Sequence, residues 1–565
     1  MSLPSIGDLP LEQRRIIRAW CMYDWANSAF ATSIAAIVPI YFVFLFKEAA
    51  GDDGTVLGIF TGSSMWSLGV ALSTGFVAFS SPVLGVIADR VPIRRVLLAT
   101  YMTIGSVFTM LAFFAPYAPE PWVWMFVVFT VANIGFVGSI VFYNSFLPHL
   151  GPRHLLDDIS SRGYAYGYLG GGLLLVVHLA FILATRDTDL ADLATRLSIA
   201  SVGLWWFGWA TWTLRVVPEP PVRPSEERLT PFSAFALGFR ELRRTFGEIR
   251  RFRVAVVFLV AYLLFNDGIS TVTAIAGAYA ADTLAIPLVF NMGTVATIQF
   301  VAVPGALAFA WLADRIATKP ALTVALVGWI GIVIVGVSLA PLPPTDHGDF
   351  DFQFAYREAS GDYVAEVAPD LDDGYELRWR DHYWRIEEGY AFRASAIEGL
   401  AEAMRDAPGV EYAVSVRGGP LDGASGVGES HPSMLGDGPV DWWPSLMRDL
   451  VWAPLGLAVG PQWLLLGAMV GWVIGGSQAL ARSLFAQVTP ERRSGEFFAF
   501  FGFIGRASSV FGPTVYIAAT ALFDTRVAVM SILFIILAGT IVLGRVDVEA
   551  GARTAAEEDA RISEA

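Results

Sequence analysis

An all-α polytopic membrane protein, twelve transmembrane helices in two six-helix halves, is the fold class predicted by three features of this 565-residue chain. Apolar residues make up 55% of it and charged residues only 16%, with a mean hydropathy of +0.54, whereas a soluble chain carries about 25% charged residues. Apolar runs of roughly 20 residues, the length that a ~30 Å hydrocarbon core demands, recur along its length. The first of these runs is echoed in the middle of the chain.

Residues 1–17 form a short polar arm with Arg14 and Arg15. The N-terminal half, 18–217, begins with a span from Ala19 to about Phe46. That run is span-length and studded with polar groups, so it reads as an uncleaved spanning helix rather than a leader. Five more spans follow at about 57–88, 96–116, 121–147, 164–184 and 197–217. Residues 218–253 change to PEPPVRPSEERL and then FRELRRTFGEIRRFR. This is a proline-rich linker entering a basic amphipathic helix, the kind that lies on an anionic membrane face.

The second half starts at 254–341, with spans at about 254–281, 287–313 and 321–341. It resumes at 449–545, with spans from Leu450 or Pro461 to Phe485, 497–521 and 527–543. Residues 546–565 are a polar acidic tail, expected to be cytoplasmic and disordered. Between the third and fourth spans of this half, 342–448 carries 21 Asp and Glu against 8 Arg. Its segments DFDFQFAYR, DYVAEVAP, YELRWRDHYWRIEEG and VEYAVSVRG alternate as strands do. With a helix over 394–407 and a glycine-rich loop over 418–439, the insert is expected to be a small α+β domain.

Basic residues in the short loops set the orientation. The arm, Arg90, Arg94 and Arg95, Arg153, the linker, Arg315 with Lys319, and Arg492 with Arg493 fall on one side. Both termini are therefore expected in the cytoplasm, and the acidic insert outside it. Cys21 is the single cysteine, which excludes an intramolecular disulfide, and reads as a small core residue. His347, His382 and His431 are scattered without metal-ligand spacing, so no metal and no cofactor is expected. No HExxH, nucleophile elbow or histidine cluster points to an enzyme.

Within the first span, Asp24, Asn27 and Ser28 share one helix face. A carboxylate in hydrocarbon costs on the order of 3 kcal/mol even on insertion scales, so a spanning helix that keeps one generally uses it. A position near the membrane surface, a few residues past Arg18, is the alternative reading. AWCMYDWANS (19–28) aligns without gaps on AYLLFNDGIS (261–270), setting Asp24 opposite Asn266. GVIADR (85–90) matches AWLADR (310–315) at the ends of the second and eighth spans, and SRGYAYGYLG more weakly matches SGEFFAFFGFIG. In transporters built from such repeats the solute site lies near the midplane between the halves, which rock about it.

Two six-span halves with GxxxDR and basic residues at the turn after the second span, and a degenerate copy after the eighth, resemble the major facilitator superfamily. YDWANSAF, VFYNSFLPHL, SSRGYAYGYLGGG, FNDGIST and GGSQALARSLFAQVTPERRSGEFFAFFG more narrowly resemble the family of the fungal autophagy-related vacuolar amino-acid effluxer and its prokaryotic relatives. The resemblance covers all but the acidic insert and the termini. It implies export of small solutes such as neutral amino acids, and it makes Asp89, Arg90, Asp314 and Arg315 helix latches at the turns.

Depth along the spans sorts the other polar residues into two layers. Asp24, Arg162, Arg482 and Glu496 lie within about two turns of the cytoplasmic surface and are expected to pair as a gate. Deeper lie Asn27, Asn144, Tyr166, Asn266, Gln299 and Gln478, suited to the carboxylate and amine of a zwitterion. Interhelical hydrogen bonding is the competing account of these amides, for Asn133 and Asn144 in particular. Asp267 is the first candidate for proton coupling and Asp24 the second. Gly170–172 and Gly475 with Gly476 read as close helix packing.

The expectation is a proton-coupled secondary transporter exporting a small solute, functional as a monomer in a lipid bilayer. A prokaryotic plasma membrane is the expected site, with no nucleic acid partner. The alternative is a membrane receptor that binds a ligand through the acidic domain.

Overall fold

The computed structural model describes residues 5–49, 62–186, 188–222, 251–284, 286, 288–369, 386–397, 412–436, 438–508 and 511–564. Ten of its helices are long and apolar enough to cross a membrane. The basic amphipathic helix expected within 218–253 falls almost wholly outside the described residues, as do most of the predicted third strand and the helix over 394–407.

The N-terminal half comprises α1 (Leu11–Ala36), α2 (Val38–Ala49), α3 (Gly62–Ala88), α4 (Arg94–Leu111), α5 (Pro121–Ser145), α6 (Leu156–Thr185) and α7 (Ala191–Val216). The expected first span is thus two helices, interrupted at Ile37, the C-cap of α1. Helix α1 packs against α6 and α7, and α4 against α5 and α7. Small residues allow the close approach. A Cβ on Gly170 would lie 2.6 Å from the Trp25 carbonyl oxygen, and one on Gly171 3.0 Å from that of Ser28. Asn133 donates to Ser73 Oγ (2.6 Å), joining α5 to α3, and His178 bonds Ser201 (2.7 Å) between α6 and α7. Each interhelical bond of this kind contributes roughly 0.6 to 2 kcal/mol.

The second half comprises α8 (Arg253–Ala278), α9 (Leu288–Ile316), α10 (Thr318–Ser338), a short α11 (Trp442–Met447), α12 (Val459–Gln487), α13 (Ser494–Ala507), α14 (Phe511–Leu522) and α15 (Thr525–Gly544). Helix α9 runs along α12, where Gly467, Gly471 and Gly475 recur every fourth residue and a Cβ at Gly475 would meet the Ala302 carbonyl oxygen at 2.7 Å. Helices α6 and α3 carry the main contacts between halves, α6 to α9 and α12, and α3 to α13.

Lys319 Nζ donates to the carbonyls of Gly544 and Val546 (both 2.8 Å), and Arg153 to that of Ala552 (2.7 Å). Gln13 near the start of α1 donates to the Leu150 carbonyl (3.2 Å) in the loop that carries Arg153, so the chain termini share one face of the bundle, here the terminal face. Because α10 starts there, the insert after it emerges at the opposite, far face.

The insert holds a five-stranded sheet of order β3-β2-β1-β4-β5, made of β1 (Phe352–Arg357), β2 (Asp362–Val367), β3 (Ala391–Phe392), β4 (Ala413–Arg417) and β5 (Ser425–Val427). Strand β1 pairs antiparallel with β2 and parallel with β4. Phe352, Phe354, Tyr363, Val414 and Val416 fill its separate core. A short strand, β5, lies in what the sequence suggested was only glycine-rich loop.

The tail corrects the expectation of disorder. Residues Val548–Glu564 form a helix, α16, lying on the terminal face. Its Glu558 is 1% exposed, within ion-pair distance of Arg251 (2.8 Å), Arg561 (2.9 Å) and Arg493 (3.5 Å). Asp559 accepts from the backbone N–H groups of Glu491 and Arg492 (2.9 and 3.0 Å). The acidic composition that suggested disorder supplies the counter-charges for a basic face.

Candidate functional site

Helices α1, α5 and α6 of one half face α8, α9, α12 and α13 of the other across a cavity of about 410 Å³. Asp24 and Asn27 reach it from α1 because they lie one turn apart on the same face. Of the amides predicted at depth, Asn27, Asn144, Asn266, Gln299 and Gln478 all line it. Tyr166 does not, whereas Tyr164 and Tyr168 do. A helix turns 100° per residue, so these two share the cavity face and Tyr166, half a turn from each, lies on another face of α6.

At the cavity floor the two halves meet in an ion pair. Asp24 Oδ2 accepts from Arg482 Nη1 (3.3 Å) and from the Tyr143 hydroxyl (2.8 Å). Arg482 also donates to Asn144 Oδ1 (3.2 Å), Ser160 Oγ (2.9 Å) and the Ser160 carbonyl (2.8 Å). Its guanidinium lies 4.2 Å from the ring centre of Tyr164 and 4.9 Å from that of Trp20. Arg482 is 2% exposed and Asp24 8%. Gly163 makes the pair possible, since a Cβ there would lie 2.6 Å from Asp24 Oδ2 and 2.9 Å from Arg482 Nη2. One turn higher, the Tyr168 hydroxyl donates to Gln478 Oε1 (2.6 Å), again across the halves.

Arg162, expected beside this pair, is elsewhere. Its side chain is 48% exposed and bonds Asp158 (2.7 Å) one turn back on its own helix. Glu496 belongs to a second cluster at the terminal face, where it accepts from Arg493 (2.9 Å). There Asp89, buried at the end of α3, accepts from the backbone N–H groups of Gly495 and Glu496 (both 2.8 Å) and pairs with Arg94. Arg94 donates to Ser494 Oγ (2.8 Å). Asp89 thus caps the first turn of α13 in the other half, where the helix dipole favours an anion. Arg90 follows it at the half-exposed turn.

The matching turn of the second half is arranged differently. Asp314 and Arg315 are exposed, and Arg315 stacks 3.4 Å from the ring centre of Trp311. The corresponding inter-half contact is made by Asp157, which accepts from Thr318 Oγ1 (2.6 Å), Gln487 Nε2 (3.3 Å) and Ser483 Oγ. Asp267, the first coupling candidate, is buried on α8 but is not among the cavity-lining residues; a Cβ on Gly512 would lie 3.0 Å from its Oδ2. Its neighbour Asn266, the repeat partner of Asp24, does line the cavity and donates to Ser508 Oγ (2.6 Å).

Sequence reasoning overlooked Arg506. It sits in FGFIGRASS, inside an apolar run, and the same cost of burying a charge that drew attention to Asp24 applies to it. Tyr143, Ser160 and Gly163 carry no such signal, because their part in the pair depends on what another helix brings to them. Among the described residues no group of three or more metal-ligating side chains occurs.

Halves that meet in charged pairs around a central polar cavity define a membrane transporter of the major facilitator type. FucP in its outward conformation aligns over 95% of this chain and 99% of its own, with a TM-score of 0.50 at 11% identity. The proton:xylose symporter XylE aligns over 95% of each chain, with a TM-score of 0.50 at 12% identity; both show the fold alone.

The chain belongs to the family described as vacuole effluxer Atg22 like, whose model matches residues 12–342 and 445–556 and skips the insert. An uncharacterized MFS-type transporter of Bacillus subtilis, YxiO, is 28% identical over 319 residues, 56% of this chain and 70% of that protein. Autophagy-related protein 22-1 of Penicillium rubens is 23% identical over 541 residues, 83% of this chain and 72% of that protein.

Proposed function

We propose that the protein is a secondary active transporter that exports a small polar solute by alternating access, coupled to protons, with its terminal face in the cytoplasm. Neutral amino acids are the solute class suggested by the family resemblance. The observation that carries the reading is the Asp24–Arg482 pair, which joins α1 of one half to α12 of the other at the cavity floor. Asp89 and Asp157 make further inter-half contacts toward the same face. Opening on that side requires these contacts to separate, so a proton or solute reaching Asp24 acts directly on closure.

Asp24 rather than Asp267 is therefore our choice for coupling, because only Asp24 lines the cavity. Protonation of Asp24 removes the charge that holds Arg482 and weakens closure. The test is counterflow and pH-gradient-driven transport in proteoliposomes, using a mixed pool of amino acids and other metabolites. Asp24→Asn is expected to abolish uphill transport while sparing exchange, and Asp267→Asn to retain uphill transport. Unchanged uphill transport by Asp24→Asn refutes the coupling role.

A further inference from the structure

Arg506 is the charged group that the inter-half pairs leave over. It is the thirteenth residue of α13, about 18 Å along the helix from its start at the terminal face, which puts it near the middle of a ~30 Å hydrocarbon core. It is exposed and lines the central cavity, whose wall it shares with Asn266, Tyr262 and Gly505. On its other side it lines a smaller void of about 30 Å³ with Thr74, Val77 and Val141, and no acidic residue lines that void. Among the described residues no hydrogen bond, ion pair or ring contact involves the Arg506 side chain.

Charge balance identifies what is missing. The ionic residues lining the central cavity are Asp24, Arg482 and Arg506. Asp24 and Arg482 neutralise one another at 3.3 Å, which leaves one positive charge in a low-dielectric site. A cation at this depth is expensive without a partner, and arginine's planar fork suits a carboxylate bidentately. The neighbouring amides, Asn27, Asn266 and Gln299, and the hydroxyl of Tyr262 are suited to the polar remainder of a small molecule.

We propose that the transported solute is a small organic anion whose carboxylate is bound by Arg506. This rests on the reading of the cavity as a solute path and deepens it by naming the charge of the solute. With no unpaired anion in the wall, an amine adds nothing to recognition, and a zwitterion is held no better than the matching plain acid.

The experiment uses the full chain, purified and reconstituted, with a panel of monocarboxylates such as hexanoate, each accompanied by its amide and its 2-amino acid. Binding is read as ligand-induced thermal stabilisation and transport as counterflow. For the wild type, at least one acid is expected to bind at least tenfold tighter than its amide and no weaker than its amino acid. Arg506→Gln should lose that acid by tenfold or more, Arg506→Lys should recover part of it, and transport of the acid should follow binding.

A second reading separates recognition from structure. Removing an unpartnered cation from the membrane interior should leave the melting temperature of the ligand-free Arg506→Gln protein unchanged or raised, while a structural role lowers it. Amides equal to their acids, a requirement for the amine, or full acid binding by Arg506→Gln overturns the proposal but leaves the transporter reading intact. If the wild type moves no solute of either this panel or the wider metabolite pool, both fail.

Discussion

Single residues decide how the two halves close. Asp24 draws its role from Tyr143, Asn144, Ser160 and Arg482, residues spread over more than 300 positions of sequence. A buried pair stripped of one partner is destabilised by about 3 kcal/mol, because the survivor keeps its desolvation penalty. The same logic extends to a residue with no charge at all. Gly163→Ala places a methyl group 2.6 Å from Asp24 Oδ2, so the pair must part or α6 must move. We expect this variant to fold and to open more readily at the terminal face, read as faster hydrogen–deuterium exchange over residues 156–163 and 480–487. Exchange matching that of the wild type sinks the assignment of this pair as the closing contact. Asp24 and Asn27 were legible in the sequence because a polar residue in an apolar run is conspicuous, and Arg506 is equally so. Gly163 and Ser160 were not, since small residues are common in every spanning helix and only the partner helix gives them a task.

At the level of elements, α16 ties together parts that belong to different halves. It takes Arg153 from the loop before α6, Arg251 from the end of the linker, and Arg493 from the start of α13. Gly551 brings its backbone against Val254 and Val488, so the helix also has an apolar footing. Glu558→Gln removes the carboxylate that Arg251, Arg561 and Arg493 share, while Arg493 keeps Glu496, and is expected to cost about 1 kcal/mol, read by thermal unfolding in detergent. Truncation at residue 546 should further raise exchange in α13 and in the loop before α6, and a tail that merely hangs from α15 predicts no change at either place. Composition misled here for a physical reason. Acidic side chains on a short helix look like a solvated face until the opposing surface is seen to be arginine.

The molecule as a whole is a two-half bundle carrying a separately packed domain on its far face. Hydropathy and the repeat made the bundle legible, because long apolar runs have few other destinies and the paired motifs mark where each half begins. The insert's β1, β2 and β4 were legible from alternation, whereas its fifth strand is three residues long and too short to show a period. The insert's roots are near one another. Trp443 donates its indole N–H to the Ile334 carbonyl (2.9 Å) and Trp452 to that of Ser338 (3.0 Å), both near the end of α10. Replacing residues 343–440 with a short glycine–serine linker is therefore expected to leave a monodisperse, cooperatively melting bundle. If solute counterflow also survives, the insert is not the recognition element, and its loss together with intact folding favours the receptor-like alternative.

The same insert sets a schedule for synthesis. Helix α9 finds its principal partner in α12, yet α12 begins at Val459, about 120 residues after α10 ends at Ser338. At 5–20 residues per second the ribosome takes roughly 6–24 s to deliver it. Throughout that interval the face of α9 that receives the glycines of α12 has no occupant, while the N-terminal half has already been released and can close upon itself. A nascent second half must therefore wait in the bilayer as a three-helix fragment, and that wait is where a chaperone or the insertion machinery has most to protect.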